Sequence, residues 1–160
     1  MSLKITGKNP SGRHLERIRQ SPNYKNEGFQ NLSETPMMLQ DTSYYELIKK
    51  TLNRNADVKP PSKLPSVKTD LKNIESDQPV IVWFGHSSYF IRINNKNILV
   101  DPVFSGNASP VSFMVNAFEG SDVYTPDDFP EIDFLIITHD HYDHMDYKTI
   151  KKIKSKIKKV

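Results

Sequence analysis

The chain has 160 residues, which is enough for one domain with a hydrophobic core. It contains no cysteine, which excludes disulfides and thiolate metal sites, so histidine and carboxylate groups would have to hold any metal ion. The net charge of +3 is due to seven lysines in residues 148–160, because the rest of the chain has 15 of the 22 basic residues and all 19 acidic ones. This distribution predicts a solvated helix face, with a phosphate-binding surface as the alternative, and speaks against a nucleic-acid partner.

The apolar runs of the chain are far too short to span a bilayer, and the N-terminus lacks the apolar stretch of a signal peptide. These features predict a cytoplasmic protein with no transmembrane segment, unless a leader was removed.

Residues 1–65 are predicted to form an arm, a helix and a linker that pack on a core built later in the chain. Residues 1–40 are expected to be irregular apart from a short helix at 13–19, because turn clusters flank that segment. Spaced apolar residues would dock this arm on the core or line a lid: Tyr24, Phe29, Leu32, Met37, Met38 and Leu39.

A second helix is predicted for residues 42–54. Ser43 and Glu46 have the spacing of a capping box, and apolar residues recur on one face. The prolines of residues 59–65 then end the helix and form a stiff linker.

Residues 66–160 are predicted to contain the main sheet. Three short strands at 80–84, 88–93 and 98–101 are separated by tight turns, which indicates antiparallel pairing. A fourth strand is predicted for residues 132–138.

A lysine-rich helix is predicted for residues 146–159, with Tyr147, Ile150, Ile153 and Ile157 facing inward. Trp83, in the first strand, is expected in the core. The loop at residues 103–118 is rich in apolar side chains, which are either tucked under the domain or offered to a lipid-like ligand.

Histidine and aspartate are concentrated in residues 138–146, directly after an apolar strand. His139 and His141 are two residues apart and can bind one cation, while Asp143 and His144 can hold a second. Two such ions would share a hydroxide made from water and polarise the bond that it attacks. The pattern therefore predicts a metal site that holds zinc, with manganese or iron as alternatives.

The motif His-Asp-His-Tyr-Asp-His at 139–144 resembles the metal motif of the metallo-β-lactamase superfamily. Residues 28–32, 82–88, 99–104 and 137–147 are similar to the branch that contains N-acyl-phosphatidylethanolamine phospholipase D and its bacterial relatives. The sugar-lactone hydrolases share the Gly-His-Ser and histidine-rich elements and are the second resemblance. The implied fold is α+β, namely the N-terminal half of an αββα sandwich preceded by an irregular arm and a short helix.

The resemblance also implies individual roles. His139 and His141 would bind the first zinc ion, and Asp143 and His144 the second. Asp143 would in addition orient the attacking hydroxide and is the expected catalytic residue.

Three further residues are implied around the metals. Asp101 would support the metal loop from behind the ligands, and Asp146 would do similar work. His86 would contact substrate or support a ligand, or else be a hydrogen-bonded residue of a tight turn. Asp140 and Tyr142 are expected to face away from the metals.

Complete family members have three more ligands downstream: a histidine, a bridging aspartate and another histidine. This sequence has no histidine after His144 and no aspartate after Asp146. The expected partner is therefore a missing C-terminal half of the fold, whether the chain is a fragment, part of a split protein or a truncated one. If the chain is complete, weak metal affinity and no efficient hydrolysis are expected.

The resulting hypothesis is a metal-dependent hydrolase that uses a hydroxide held by two metal ions to attack a phosphodiester such as an N-acyl phospholipid. Hydrolysis of a lactone or carboxylic ester on the same site is the alternative enzyme function, and a nuclease is disfavoured by the acidic body of the chain. A non-catalytic metal-binding or interaction module is the third possibility.

Overall fold

The computed structural model describes residues 8–36, 43–53, 59–109 and 115–160. The chain divides into two compact units, Met1–Asn55 and Ala56–Val160. The predicted division after residue 65, and the packing of residues 1–65 on the core, stay predictions. In the described ranges, no helix has the length and apolar character required to cross a membrane.

The first unit contains two helices and a small hairpin. Helix α1 spans Gly12–Arg19, strands β1 (Tyr24–Lys25) and β2 (Gly28–Phe29) pair antiparallel, and helix α2 spans Tyr44–Leu52. The Ser43 hydroxyl accepts a hydrogen bond from the Glu46 N–H at 3.2 Å, which confirms the predicted cap of α2. Met37, Met38 and Leu39, predicted as docking residues, lie outside the described residues.

The second unit is built on a four-stranded sheet. Its strands are β3 (Val80–Gly85), β4 (Ser88–Ile93), β5 (Lys96–Val100) and β6 (Phe134–Ile136), in that spatial order. The first three pair antiparallel, as predicted, and β6 pairs parallel to β5. Two asparagines between β4 and β5 have positive φ angles of 48° and 57°, which suits a two-residue hairpin turn.

One face of this sheet carries the hydrophobic core. Phe90, Leu99 and Leu135 are buried there against Phe129 and Ile153. The aromatic rings of the core meet edge to face, with centroid distances near 5 Å, which is the favoured geometry for such pairs.

The opposite face of the sheet is apolar and only partly covered, because four of the eight residues that pair across it are exposed and Val100 is buried. Paired residues form two rows across it: Ile81, Ile91, Ile98 and Phe134 in the first, and Trp83, Tyr89, Val100 and Ile136 in the second. Ile81 is 66% exposed and Trp83 is 69% exposed, so the prediction that Trp83 lies in the core is wrong. Successive side chains of a strand point to opposite faces of the sheet. Val82 and Phe84 point to the core face, so Trp83 between them points to the other.

The lysine-rich segment departs from the predicted helix. Helix α3 spans only Tyr147–Ile153, and a 3-10 turn follows at Lys154–Lys156. The chain from Ile157 then runs extended beside Ile132, and the Lys158 N–H donates to the Ile132 carbonyl at 2.9 Å. The unpaired edge next to β6 offers backbone hydrogen bonds that a further helical turn would leave unused. Tyr147, predicted inward, is 66% exposed.

Lys156 is an exception to the predicted solvated lysine face. Its ammonium group donates to the carbonyl oxygens of Pro126 at 2.9 Å and Phe129 at 2.8 Å. This lysine therefore joins the loop before β6 to the end of the lysine-rich segment, which is a structural role.

Gly120 lies where the proline-rich segment joins the second unit. The Leu64 N–H donates to the Glu119 carbonyl at 2.9 Å, and a side chain at Gly120 would collide with the Leu64 backbone. Its φ of +92° also favours glycine.

Candidate metal centre

The motif predicted to bind metal forms a compact turn after β6. The N–H groups of His144 and Met145 both donate to the His141 carbonyl, at 3.0 and 2.7 Å. This turn folds the chain back on itself, so the His139 ring lies 4.7 Å from that of His141 and 3.8 Å from that of His144, measured between centroids. The local fold therefore brings the three histidines of the motif together at the end of a strand.

Asp101 anchors this turn from the neighbouring strand. It follows β5 directly, and parallel pairing of β5 with β6 places it beside Thr138. Its carboxylate accepts hydrogen bonds from the Thr138 N–H at 2.8 Å, the Thr138 hydroxyl at 2.7 Å and the His144 Nδ1 at 2.8 Å. Its side chain is fully buried, whereas that of His144 is 13% exposed.

The charge on Asp101 is maintained by these donors. Burial by itself raises the pKa of Asp101, but the hydrogen bonds from His144 and Thr138 outweigh it and hold the pKa below its ordinary value. Asp101 is thus an acceptor at neutral pH, which determines where the protons of its neighbours lie.

The hydrogen bonds assign the tautomers of two histidines. The Thr138 hydroxyl has one proton, which it donates to Asp101, so its contact with the His139 Nδ1 at 3.1 Å has the imidazole as donor. The His144 Nδ1–H likewise donates to Asp101. Both imidazoles then present an unprotonated Nε2, which is the form that binds a metal ion.

Asp143 lies between two histidines. Its Oδ2 is 3.0 Å from the Nε2 of His86 and 3.7 Å from the Nε2 of His144. One ligand atom from each of these three residues lies within 4.8 Å of the others, a grouping that His139 and His141 do not join in the described part of the chain. Imidazole nitrogens with a carboxylate are the donor set that zinc, manganese and iron accept, so the residues fit a metal ion.

His86 owes its position to the turn between β3 and β4. Its φ of +46° is in the left-handed region, and its carbonyl accepts a hydrogen bond from the Trp83 indole N–H at 2.9 Å. The side chain is 61% exposed and its ring lies 5.1 Å from that of His144. His86 thus lies in a hydrogen-bonded tight turn, and its imidazole also reaches Asp143 of the candidate site.

Asp146 has a different location from the one expected. Its carboxylate caps α3 by accepting from the N–H groups of Lys148 and Thr149, and it also accepts from the Ser105 N–H at 2.8 Å. In the described ranges, none of its hydrogen bonds reaches a predicted ligand. Asp146 joins the loop after β5 to α3, so it stabilises the fold beneath the site.

Thr138 is the residue of the site that sequence reasoning missed. It contacts Asp101 and the Nδ1 atoms of both His139 and His144 through one hydroxyl group. The available signal was a threonine directly before the first histidine of the motif, at the end of an apolar strand. Asp140 is exposed, and its expected orientation away from the metals stays a prediction.

The profile of the family described as "Beta-lactamase superfamily domain" matches residues 80–160. An uncharacterized protein of Mycobacterium tuberculosis is 30% identical over 142 residues, which cover 82% of this chain and 36% of that protein. The chain belongs to the beta-lactamase superfamily.

Two relatives with descriptive names match shorter stretches. N-acyl-phosphatidylethanolamine-hydrolyzing phospholipase D 1 of Caenorhabditis elegans is 34% identical over 44% of this chain and 20% of its own length. A metal-dependent hydrolase of Sulfolobus acidocaldarius is 34% identical over 42% of this chain and 25% of its own length. The chain thus spans between a fifth and about a third of the length of these relatives.

Proposed function

We propose that the chain carries the metal-binding part of a metal-dependent hydrolase that cleaves a phosphodiester such as an N-acyl phospholipid. The observation that carries this proposal is the grouping of the His86, Asp143 and His144 ligand atoms within 4.8 Å of one another. The name of the nematode relative supports the phosphodiester, and the name of the Sulfolobus relative supports a metal-dependent hydrolysis.

The residues that would hold two zinc ions are His139 and His141 for the first and Asp143 and His144 for the second. The ions, when bound, supply a water of lowered pKa and polarise the bond under attack. Asp143 is 42% exposed, so its carboxylate is open to solvent and would orient the attacking water. Asp101 and Thr138 would keep the Nε2 lone pairs of His139 and His144 directed to the ions.

The partly covered face of the sheet supports the remaining part of the proposal. This apolar face is partly open, with Trp83 and Ile81 each about two-thirds exposed. An exposed apolar face of this extent marks an interaction surface. In the proposed whole protein, a second sheet from the missing half of the sandwich covers it and brings the remaining ligands to the site.

The hydrolase is tested by metal loading followed by assay. Zinc-loaded protein containing both halves is expected to cleave N-acyl-phosphatidylethanolamine, and Asp143→Ala is expected to lower the rate by at least a hundredfold, since it removes both a ligand and the group that orients water. The measurement is release of phosphatidic acid in parallel with release of acid from a sugar lactone. Asp140→Ala, an exposed carboxylate of the same motif, is the matched control.

Cleavage of the lactone alone would replace the phosphodiester by a lactone or ester as the substrate. If protein incubated with zinc binds none, the hydrolase proposal is contradicted. The remaining hypothesis is then a non-catalytic interaction module.

Covering of the sheet is tested by the fluorescence of Trp83, which is the single tryptophan of the chain. Because the side chain is 69% exposed, acrylamide is expected to quench the isolated chain nearly as well as free N-acetyltryptophanamide. In protein containing both halves, the quenching constant of Trp83 is expected to fall clearly below that of the isolated chain. Equal quenching in the two forms would contradict the proposed second sheet.

A further inference from the structure

We infer that His86 is itself a metal ligand, which binds the same ion as Asp143 and His144. The inference rests on the proposed metal site and adds to it a residue from outside the His-x-His-x-Asp-His motif. It depends on the distances between ligand atoms, on the conformation of the turn that carries His86 and on the contact that holds this turn.

The distances between ligand atoms suit one ion. Bonds of about 2.0–2.2 Å from zinc to nitrogen and oxygen, at a tetrahedral angle, place two ligand atoms about 3.4 Å apart. The separations of the Asp143 Oδ2 from the His86 Nε2 and the His144 Nε2 are 3.0 and 3.7 Å, on either side of that value. An ion between these atoms therefore requires only small shifts, which the exposed side chains of His86 and Asp143 can make.

The backbone of the β3–β4 turn holds His86 in this position. A left-handed conformation is unfavourable for a residue other than glycine, and His86 adopts it with a φ of +46°. The indole N–H of Trp83 donates to the His86 carbonyl and fixes the turn. Conformations of this kind are concentrated at functional sites, and here the conformation carries an imidazole to a carboxylate of the motif.

His144 also contacts His86. Its ring packs edge to face on that of His86 at 5.1 Å, while its Nδ1 is occupied by Asp101. The Nε2 atoms of both histidines are thus on the same side as the Asp143 carboxylate. At 3.0 Å, either a proton or a cation lies between the His86 Nε2 and the Asp143 oxygen, and an imidazole that binds a metal through Nε2 keeps its proton on Nδ1.

The experiment uses cobalt(II) as a probe, because bound cobalt strongly shifts the exchangeable N–H resonance of each ligating imidazole. The chain has five histidines, of which four lie at the site and His14 lies in the first compact unit. Four shifted imidazole N–H resonances are expected for the wild-type chain. His86→Asn, which tolerates a positive φ, is expected to lose one of them and to weaken cobalt binding at least tenfold. His14→Asn is the matched control and is expected to change neither.

Three shifted resonances in the wild type, or an unchanged spectrum in His86→Asn, would overturn the inference and leave the proposed metal site intact. Because the chain has only part of the proposed ligand set, cobalt is added in large excess, and failure of the wild-type chain to bind it even then would overturn both. Near-ultraviolet circular dichroism shows whether His86→Asn folds. If it does not, the number of shifted resonances in the wild-type chain still tests the inference. Trp83→Phe, which removes the indole N–H but keeps an aromatic ring, is expected to keep all four resonances with a weaker affinity.

Discussion

Replacing Asp146 with alanine is expected to lower the free energy of unfolding of the second unit by about 3–5 kcal/mol. The carboxylate is buried and accepts five hydrogen bonds, from Lys148, Ser105, Phe104 and both the N–H and hydroxyl of Thr149. Loss of a helix N-cap costs about 1 kcal/mol, and each buried donor left without an acceptor costs about 1–3 kcal/mol. A loss of this size is a large part of the stability of a small domain.

Urea denaturation followed by circular dichroism measures this loss. Asp146→Asn keeps one acceptor oxygen and is expected to fall between the wild type and Asp146→Ala. Asp77→Ala removes an exposed carboxylate and is expected to stay within about 0.5 kcal/mol of the wild type. A similar small change in Asp146→Ala would show that water replaces the carboxylate at no cost.

Local sequence patterns were enough to predict the hairpins of the main sheet and the histidine-rich turn after β6, but not the small β1–β2 hairpin of the first unit. The strands β3, β4 and β5 alternate with turn residues, and the asparagines at 94 and 95 form the predicted tight turn. The histidines and Asp143 are close in sequence, so a single compact turn assembles them. Features that depend on neighbours within a few residues are those that spacing can predict.

Features that depend on distant contacts were not predictable in this way. An apolar strand has the same composition whether one or both of its faces are covered, so the position of Trp83 could not be inferred from residues 80–84. Ile153 and Ile157 have helical spacing, yet the open edge beside β6 draws Ile157 into extended pairing with Ile132. The backbone groups of that edge outweighed local helix propensity.

The support of the predicted metal ligands is the clearest case of a distant contact. Thr138 and Asp101 are 37 residues apart and meet only because β6 pairs parallel to β5. The family resemblance implied a role for Asp101 but none for the Thr138 hydroxyl. That hydroxyl belongs to the site because it donates its proton to Asp101 and so accepts from the His139 Nδ1–H.

Asp101→Asn is expected to weaken zinc binding by about 10–100-fold, the range for residues that orient metal-binding histidines. Asparagine tolerates the positive φ of 42° at this position, so the backbone strain is unchanged. Its amide oxygen can still accept from the Thr138 N–H, but its amide nitrogen then faces the His144 Nδ1 as a donor. The His144 proton must move to Nε2, which removes the lone pair that the metal requires.

Zinc affinity measured by competition with a chelator, together with the nitrogen-15 resonances of the histidine rings, tests this prediction. The wild type is expected to show His144 protonated at Nδ1 and Asp101→Asn to show it protonated at Nε2. Asp140→Asn makes the same change of charge at an exposed position and is expected to leave the His144 tautomer as in the wild type. If the tautomer is reversed but the zinc affinity is unchanged, His144 is not a ligand. If the affinity falls while the tautomer stays the same, Asp101 supports zinc binding through its negative charge.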